Sequence, residues 1–194
     1  AALVVTPPYV RPTQSGLLAH FRAVADEGGL PVVLYNVPGR TGCDLAPETT
    51  GELSLHPNIV GIKEARADAA RMEDLLPCRR DGFAVLSGDD PTAVRAMLAG
   101  ADGVISVASN VVPGTFRRLC QLARGGDVAG AEALDARLYA LYHFLGVEPN
   151  PIPVKALLAL NGIGHGLHLP LAALSSTHAA EAQRLHADIL QLED

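Results

Sequence analysis

The feature that most constrains the fold is an alternation of short apolar runs with amphipathic segments over the first half of the chain. Short runs rich in Val, Ile and Leu are typical of buried strands, whereas apolar residues three and four positions apart are typical of helices. The strand candidates are Ala2–Val5, Pro31–Tyr35, Ile59–Ile62, Phe83–Leu86 and Gly103–Val107. Strands separated by helices of this length predict βαβ units and a parallel sheet.

Helix boundaries lie between these runs. Apolar residues recur at helical spacing in Leu17, Leu18, Phe21 and Val24. The pair Gly28-Gly29 predicts the end of that helix. Asp90 followed by Pro91 predicts an N-cap with proline at the first helical position, and Gly100 predicts the end of the same helix.

After about residue 107 the sequence carries only helical patterns. One apolar stripe consists of Val112, Phe116, Leu119, Leu122 and Ala123. Asp127 is predicted to cap the next helix, and the segments Pro151–Leu160 and Leu171–Leu192 are predicted to be helical as well. We therefore expect residues 1–124 to form the strand-containing part and residues 125–194 to form a C-terminal helical extension.

Five parallel strands are too few to close a (β/α)8 barrel, which usually needs about 250 residues. Two architectures remain open from the periodicity alone. The sheet is either open and doubly wound, or the chain is the C-terminal part of a larger barrel.

Composition excludes several classes of partner. The 194 residues carry a net charge of −6 and contain no block of Lys or Arg, so neither nucleic acid nor an anionic membrane is expected to bind. No apolar run is long enough to span a bilayer, and no basic segment precedes the first apolar run, which predicts a cytoplasmic protein. Cys43, Cys78 and Cys120 lack metal-binding spacing, and His165 and His168 lack carboxylate or thiol companions, so no metal or other cofactor is expected.

Lys63 is the strongest candidate for chemistry, because it stands at the end of the apolar run Ile59–Ile62. Lysine is rarely buried without a partner or a function. Desolvation lowers the pKa of an amine and leaves a neutral nucleophile that can form a Schiff base with a carbonyl compound. The alternative is a lysine that turns to solvent or pairs with Glu64.

Other polar residues follow the neighbouring strand candidates, at the edge where α/β folds place their sites. Tyr9 and Tyr35 are candidate proton carriers, and the guanidinium of Arg40 can bind a carboxylate through two hydrogen bonds. Each has a structural alternative, because Tyr35 fits an ordinary strand and Arg40 fits a solvated turn. Asp89 and Asp90 are interpreted as helix caps, and the structural alternative for Gly42 and Gly88 is that they only satisfy backbone geometry.

The motifs around these residues resemble the dihydrodipicolinate synthase family over essentially the whole chain. The similar segments are Val5–Pro12, Tyr35–Gly42, Gly61–Ala65, Leu86–Asp90, Gly103–Val107 and Val147–Lys155. The resemblance implies a TIM (β/α)8 barrel, here from about the fourth strand onward. It also implies an aldolase-type lyase that condenses pyruvate with L-aspartate 4-semialdehyde in lysine and diaminopimelate biosynthesis, as a homotetramer built from two dimers.

The resemblance also implies a role for each matching residue. Lys63 corresponds to the Schiff-base lysine, and Tyr35 to the tyrosine that relays protons above the imine. Arg40 corresponds to the arginine that receives the carboxylate of the semialdehyde, and Tyr9 to the tyrosine that enters the neighbouring subunit's site at the dimer interface. Gly88 and Ile105 correspond to positions that line the pyruvate pocket.

Two departures from the family pattern bear on activity. The first three strands, with a Thr-Thr-Gly-Glu segment that supplies a relay threonine, have no counterpart in these 194 residues. Pro8 stands where lysine-inhibited members carry a tyrosine, so feedback by lysine is not expected.

Two alternative functions remain. One is another pyruvate-dependent aldolase, acting on 2-keto-3-deoxy sugar acids or N-acetylneuraminate, and the other is a non-catalytic chain that only assembles with homologous subunits. Arg40 favours the synthase, because N-acetylneuraminate lyases do not generally carry arginine there.

Overall fold

The first part of the chain forms a parallel sheet with the strand order β1-β2-β3-β4-β5 in a computed structural model. The structure describes residues 1–164 and 166–193. The strands are β1 (Ala2–Val5), β2 (Val32–Asn36), β3 (Ile59–Glu64), β4 (Ala84–Ser87) and β5 (Gly103–Val104). Every pairing within this sheet is parallel, which confirms the predicted βαβ organisation.

Helices connect consecutive strands. They are α1 (Gln14–Glu27), α2 (Pro38–Thr41), α3 (Pro47–Leu53), α4 (Ala69–Leu75) and α5 (Ala93–Leu98). Thr13 caps α1, because its hydroxyl accepts a hydrogen bond from the backbone N–H of Gly16 at 3.2 Å. Leu17 and Phe21 on the apolar face of α1 are completely buried and pack in one core with Leu34 of β2 and Ile62 of β3.

The strand order resolves the choice between an open sheet and a barrel. A doubly wound sheet reverses its strand order at a switch point, whereas consecutive strands of a (β/α)8 barrel lie side by side in sequence order. The order β1-β2-β3-β4-β5 shows no reversal. The first unit therefore has the topology of five consecutive strands of such a barrel.

The chain divides into two compact units, Ala1–Ile105 and Ser106–Asp194. Within its described part, the second unit consists mainly of helices, which are α6 (Pro113–Arg124), α7 (Val128–Leu145), α8 (Ile152–Leu160) and α9 (Ala179–Glu193). Asp127 caps α7 as predicted, with its carboxylate 3.0 Å from the backbone nitrogen of Gly130. The boundary expected after residue 124, where the last barrel helix would end, stays a prediction.

The side chain of Glu193 in α9 provides hydrogen-bond acceptors for the free backbone N–H groups at the N-terminus of α6. Its two carboxylate oxygens accept hydrogen bonds from the backbone N–H groups of Gly114 and Thr115 at 2.9 and 2.7 Å. Burial disfavours the charge, but the hydrogen bonds from Thr115 and Gly114 outweigh it and lower the pKa of Glu193. The contact fixes the end of α9 to the beginning of α6.

Besides shifts of one or two residues at the ends of β2, β3 and β4, three sequence-based boundaries differ from the structure in a way that changes an interpretation. The fifth strand ends at Val104, where its pairing with β4 stops, so the prediction that it continues to Val107 is wrong. The last helix begins at Ala179 rather than at Leu171, after a 3-10 turn at Ser176–His178. Asp90 is not the N-cap of a helix, because a 3-10 turn at Asp90–Thr92 precedes the start of α5.

Candidate active site

The carboxyl ends of the strands are joined by backbone hydrogen bonds, and most of the predicted site residues lie there. Gly88 donates to the carbonyl of Glu64 at 2.7 Å, and Ile105 donates to the carbonyl of Ser87 at 2.9 Å. Thr6 donates to the carbonyl of Tyr35 at 3.0 Å in the same way. The segments that follow β1, β4 and β5 are thus fixed to a neighbouring strand.

Lys63 lies inside β3 and is 8% exposed. Its Nζ atom stands 4.3 Å from the centre of the Tyr35 ring, and Tyr35 is its register partner on β2. Burial lowers the pKa of Lys63; the carboxylate of Asp90 opposes this effect, and the guanidinium of Arg40 adds to it. A lowered pKa increases the neutral fraction of the amine near neutral pH, which is the form that attacks a carbonyl carbon.

The alternative readings of Lys63 do not agree with this geometry. The side chain is not turned to solvent, and Glu64 directs its carboxylate to Asn36 and to the backbone N–H of Arg66. Successive side chains of a strand point to opposite faces of the sheet, so Lys63 and Glu64 lie on different faces.

Tyr35 and Arg40 stand on the segment that begins in β2. Tyr35 is half-buried, and burial raises the pKa of its phenol while the charge of Arg40 acts in the opposite direction. Arg40 lies in the one-turn helix α2, and the residue that follows this helix, Gly42, adopts the left-handed conformation with φ 68°. Glycine adopts this conformation without the steric penalty of a side chain, so the backbone role predicted for Gly42 agrees with the structure.

Gly88 has a different reason to be glycine. A Cβ atom at this position would lie 2.7 Å from Cε and 2.9 Å from Cγ of Lys63, and 3.0 Å from Cβ of Ala65. Contacts this short are repulsive, so the absent side chain provides the space that the Lys63 side chain occupies. Its role toward a substrate stays a prediction.

Tyr9 and Ile105 are placed differently from one another. Tyr9 is 92% exposed and adopts a φ of 74°, and its backbone N–H donates to the carbonyl of Thr41 at 3.1 Å. Within this chain the structure does not bring Tyr9 to Lys63. Ile105 is half-buried and directly follows β5, which pairs with the strand that precedes Gly88, and its contact with pyruvate stays a prediction.

Sequence reasoning missed Asp90 as a member of the site. The proline that follows it is typical of a helix cap, yet the Asp90 side chain is buried and its charge acts on Lys63. Asp89 instead accepts a hydrogen bond from the hydroxyl of Thr92 at 2.7 Å. The available signal was the position of both aspartates directly after a strand, where α/β folds place functional groups.

No metal site is formed by the part of the chain that the structure describes, since no group of three or more His, Cys, Asp or Glu side chains converges there. His165 lies outside the described residues. None of the helices in the described ranges combines the length and apolar character needed to cross a bilayer.

The candidate active site thus consists of the buried amine of Lys63 beside the phenol of Tyr35, with the charges of Arg40 and Asp90 acting on that amine.

Comparison with known proteins gives consistent matches. The sequence model of the Dihydrodipicolinate synthetase family matches residues 1–190. The chain is 65% identical to a 4-hydroxy-tetrahydrodipicolinate synthase of Stenotrophomonas maltophilia (strain K279a), covering 99% of this chain and 65% of that protein. It is 66% identical to the corresponding synthase of Xanthomonas axonopodis pv. citri (strain 306), covering 99% of this chain and 64% of that protein.

A solved structure agrees with both the fold and the family. The dihydrodipicolinate synthase of Acinetobacter baumannii, determined in complex with pyruvate, matches with a TM-score of 0.92 and 43% identity, covering 97% of this chain and 65% of that chain. The present chain thus spans 65% of the length of the Stenotrophomonas relative. The described fold is part of a TIM barrel followed by helices, and the chain belongs to the dihydrodipicolinate synthetase family.

Proposed function

We propose that the protein containing this chain is a Schiff-base lyase that condenses pyruvate with L-aspartate 4-semialdehyde to 4-hydroxy-tetrahydrodipicolinate, in lysine and diaminopimelate biosynthesis in the cytoplasm. The buried amine of Lys63 beside the ring of Tyr35 is the observation that carries this proposal. The names of the relatives and the pyruvate complex of the Acinetobacter enzyme support the choice of substrates.

In this reaction the neutral amine of Lys63 attacks the keto carbon of pyruvate. The carbinolamine loses water to give an imine, and loss of a proton from the methyl carbon gives an enamine. The enamine carbon attacks the aldehyde of the second substrate, and the amino group of that substrate then displaces Lys63 and closes the ring. One water is released overall, and the amine is regenerated.

Tyr35 and Arg40 assist different parts of this sequence. The phenol of Tyr35 moves protons to and from the carbinolamine, since it stands next to the amine. Arg40 binds the carboxylate of the semialdehyde, while Gly88 and Ile105 line the space for pyruvate.

The proposed function is tested by measuring formation of the ring product by the purified protein, beside cleavage of 2-keto-3-deoxy sugar acids and N-acetylneuraminate. Cleavage of a sugar acid without ring formation would contradict the proposal.

Replacing Arg40 with alanine is expected to lower kcat/KM for the semialdehyde by about ten- to a hundred-fold, because a charge-assisted hydrogen bond contributes roughly 1.5–3 kcal/mol. Trapping of pyruvate on Lys63 should be largely retained. Steady-state kinetics and borohydride trapping measure the two effects. Arg22→Ala is the control, since Arg22 forms an exposed ion pair with Glu52 at 2.7 Å. An equal loss for both substrates would make Arg40 a structural residue.

We also propose that the protein forms a homotetramer of two dimers in which Tyr9 serves the site of the neighbouring subunit. A positive φ is uncommon for a residue other than glycine, and strained backbone of this kind is frequent at functional sites. The strained Tyr9 backbone and its 92% exposed side chain support a contact outside the chain.

Subunit complementation tests this role of Tyr9. Tyr9→Ala and Lys63→Ala chains, each inactive alone, are co-expressed and purified together. A mixed dimer has one site with both an intact Lys63 and the partner's intact tyrosine, so random pairing should restore about a quarter of the activity. Mixed chains without activity, in a preparation shown by native mass spectrometry to contain mixed dimers, would show that Tyr9 does not act across subunits.

A further inference from the structure

Two neighbouring pairs of side chains occupy opposite faces of the sheet at the ends of β2 and β3. Tyr35 is the register partner of Lys63, and Asn36 is the register partner of Glu64. The amide nitrogen of Asn36 donates to both carboxylate oxygens of Glu64, at 2.9 and 3.2 Å, and both side chains are completely buried. The bond between Asn36 and Glu64 therefore joins the two strands directly behind the amine and the phenol.

The same asparagine also closes the segment that carries Arg40. The Asn36 amide nitrogen donates to a carboxylate oxygen of Asp44 at 2.8 Å, and its amide oxygen accepts from the backbone N–H of Leu45 at 3.0 Å. Both the donor and the acceptor groups of this side chain are thus in use. The chain leaves β2 after Asn36, passes through Arg40 and returns to Asn36 at residues 44 and 45.

Two arginines balance the two carboxylates of this cluster. Arg71 donates to the carboxylate of Asp44 and, at 2.9 Å, to the carbonyl of Leu45. Arg66 donates to Asp44 at 3.0 Å through its guanidinium and to Glu64 at 2.9 Å through its backbone N–H. Arg71 and Glu64 are buried, whereas the side chains of Arg66 and Asp44 are 38% and 37% exposed. Such groups stabilise a fold little, because desolvation offsets the attraction of the buried pair and solvent screens the exposed one. A geometric role explains them better than stability does.

We propose that Asn36 and Glu64 are positioning residues of the candidate active site. Through the bond between them they hold Lys63 against Tyr35, and through Asp44 and Leu45 they fix the segment of Arg40 relative to Lys63. The inference rests on the proposed function, because that function assigns the chemistry to these residues. It does not follow from the assigned roles, since neither Asn36 nor Glu64 lies on the face of Lys63.

The experiment measures the reactivity of Lys63 directly and uses no substrate. Trace acetic anhydride labels amines in proportion to their neutral fraction, and the sequence contains two lysines, Lys63 and Lys155. Both labelled peptides are quantified by mass spectrometry across a pH series, with Lys155 as the internal reference. The pH at which labelling of Lys63 is half-maximal is its labelling midpoint. The variants are Asn36→Asp, Glu64→Gln and their combination, and none of them alters Tyr35 or the charged groups Arg40 and Asp90 that act on Lys63.

Both single variants should raise the labelling midpoint of Lys63 by roughly half a pH unit or more, because release of the strand end lets water reach the amine. Asn36→Asp removes the donor and places a third carboxylate in the cluster, whereas Glu64→Gln leaves one side-chain oxygen for two donors, the Asn36 amide and the backbone N–H of Arg66. In the double variant, the new amide at position 64 can donate to the new carboxylate at position 36. The midpoint should therefore return part of the way to that of the unmodified protein.

Asn58→Asp is the matched control at the opposite end of β3. The Asn58 amide donates to the backbone carbonyls of Ala25 and Leu30 at 2.6 and 3.2 Å, so this change also removes bonds that join segments. It should lower the thermal midpoint of unfolding and leave the Lys63 midpoint unchanged.

An unchanged or lowered Lys63 midpoint in folded Glu64→Gln would overturn the proposal, because the added carboxylate of Asn36→Asp raises the midpoint by its charge alone and loss of a carboxylate does not. An equal shift in Asn58→Asp would overturn it as well. If Asn36→Asp does not fold, Glu64→Gln decides by the same criterion. Failure of the proposed function is visible separately, as an unmodified protein that forms no ring product from pyruvate and the semialdehyde. The labelling result retains its meaning in that case.

Discussion

Replacing Lys63 with alanine is expected to abolish the pyruvate adduct and to reduce turnover by about 10⁴-fold or more, the range found when a nucleophile is removed. Any amine that forms the imine must be neutral and must reach the keto carbon. Burial lowers the pKa of Lys63 and so increases its neutral fraction, and its position beside Tyr35 supplies the proton carrier. Reduction with borohydride in the presence of pyruvate makes the imine permanent, and peptide mass spectrometry locates it.

The sequence provides its own control for this experiment. Lys155, the other lysine, lies half-buried in α8 of the second unit. Lys155→Ala should retain both the adduct and the turnover. An adduct on Lys155, or an active protein without an adduct on Lys63, would refute the assignment of the nucleophile.

Replacing Gly88 with valine is expected to reduce borohydride trapping on Lys63 by at least about a hundred-fold, because a displacement of about 1 Å at a reacting group can have an effect of that size. The 2.7 Å approach of a Cβ atom to Cε of Lys63 leaves no room for a side chain, so the lysine must leave its position beside Tyr35. Gly88→Ala should give a smaller loss in the same direction.

Gly103→Ala is the control for Gly88. A Cβ atom at Gly103, on the adjacent strand β5, meets its nearest neighbour, Cδ2 of Leu86, at an ordinary 3.7 Å. This variant should trap pyruvate as well as the unmodified protein. Normal trapping by folded Gly88→Val would show that Lys63 does not need the space above Gly88.

The strands and most helices could be predicted because their signals are local. The apolar runs around Leu34 and Ile62 became β2 and β3, and the stripe through Leu17 and Phe21 became the buried face of α1. Periodicity shows that a strand exists but carries no information about its neighbours. The choice between a barrel and a doubly wound sheet therefore required the observed strand order.

The part of the site that could not be predicted depends on contacts between distant segments. Asp90 beside Pro91 has the local pattern of a cap, but its burial and its effect on Lys63 come from the packing of β3 against β4. Asn36 and Glu64 are separated by 28 residues and meet only because the strands pair in this register. The one sequence signal that Asn36 and Glu64 carried was their position, since Asn36 directly follows Tyr35 and Glu64 directly follows Lys63.

The carboxylate of Glu193 at the beginning of α6 has a consequence for synthesis on the ribosome. Thr115 and Glu193 are 78 residues apart, whereas Thr6 and Thr41, which bond through their hydroxyls, are separated by 35. At about 5–20 residues per second, the N–H groups at the start of α6 wait roughly 4–16 s for this partner after they are made. The loops of the sheet can close during that interval, while the helical unit completes its contacts only after residue 193 has been added.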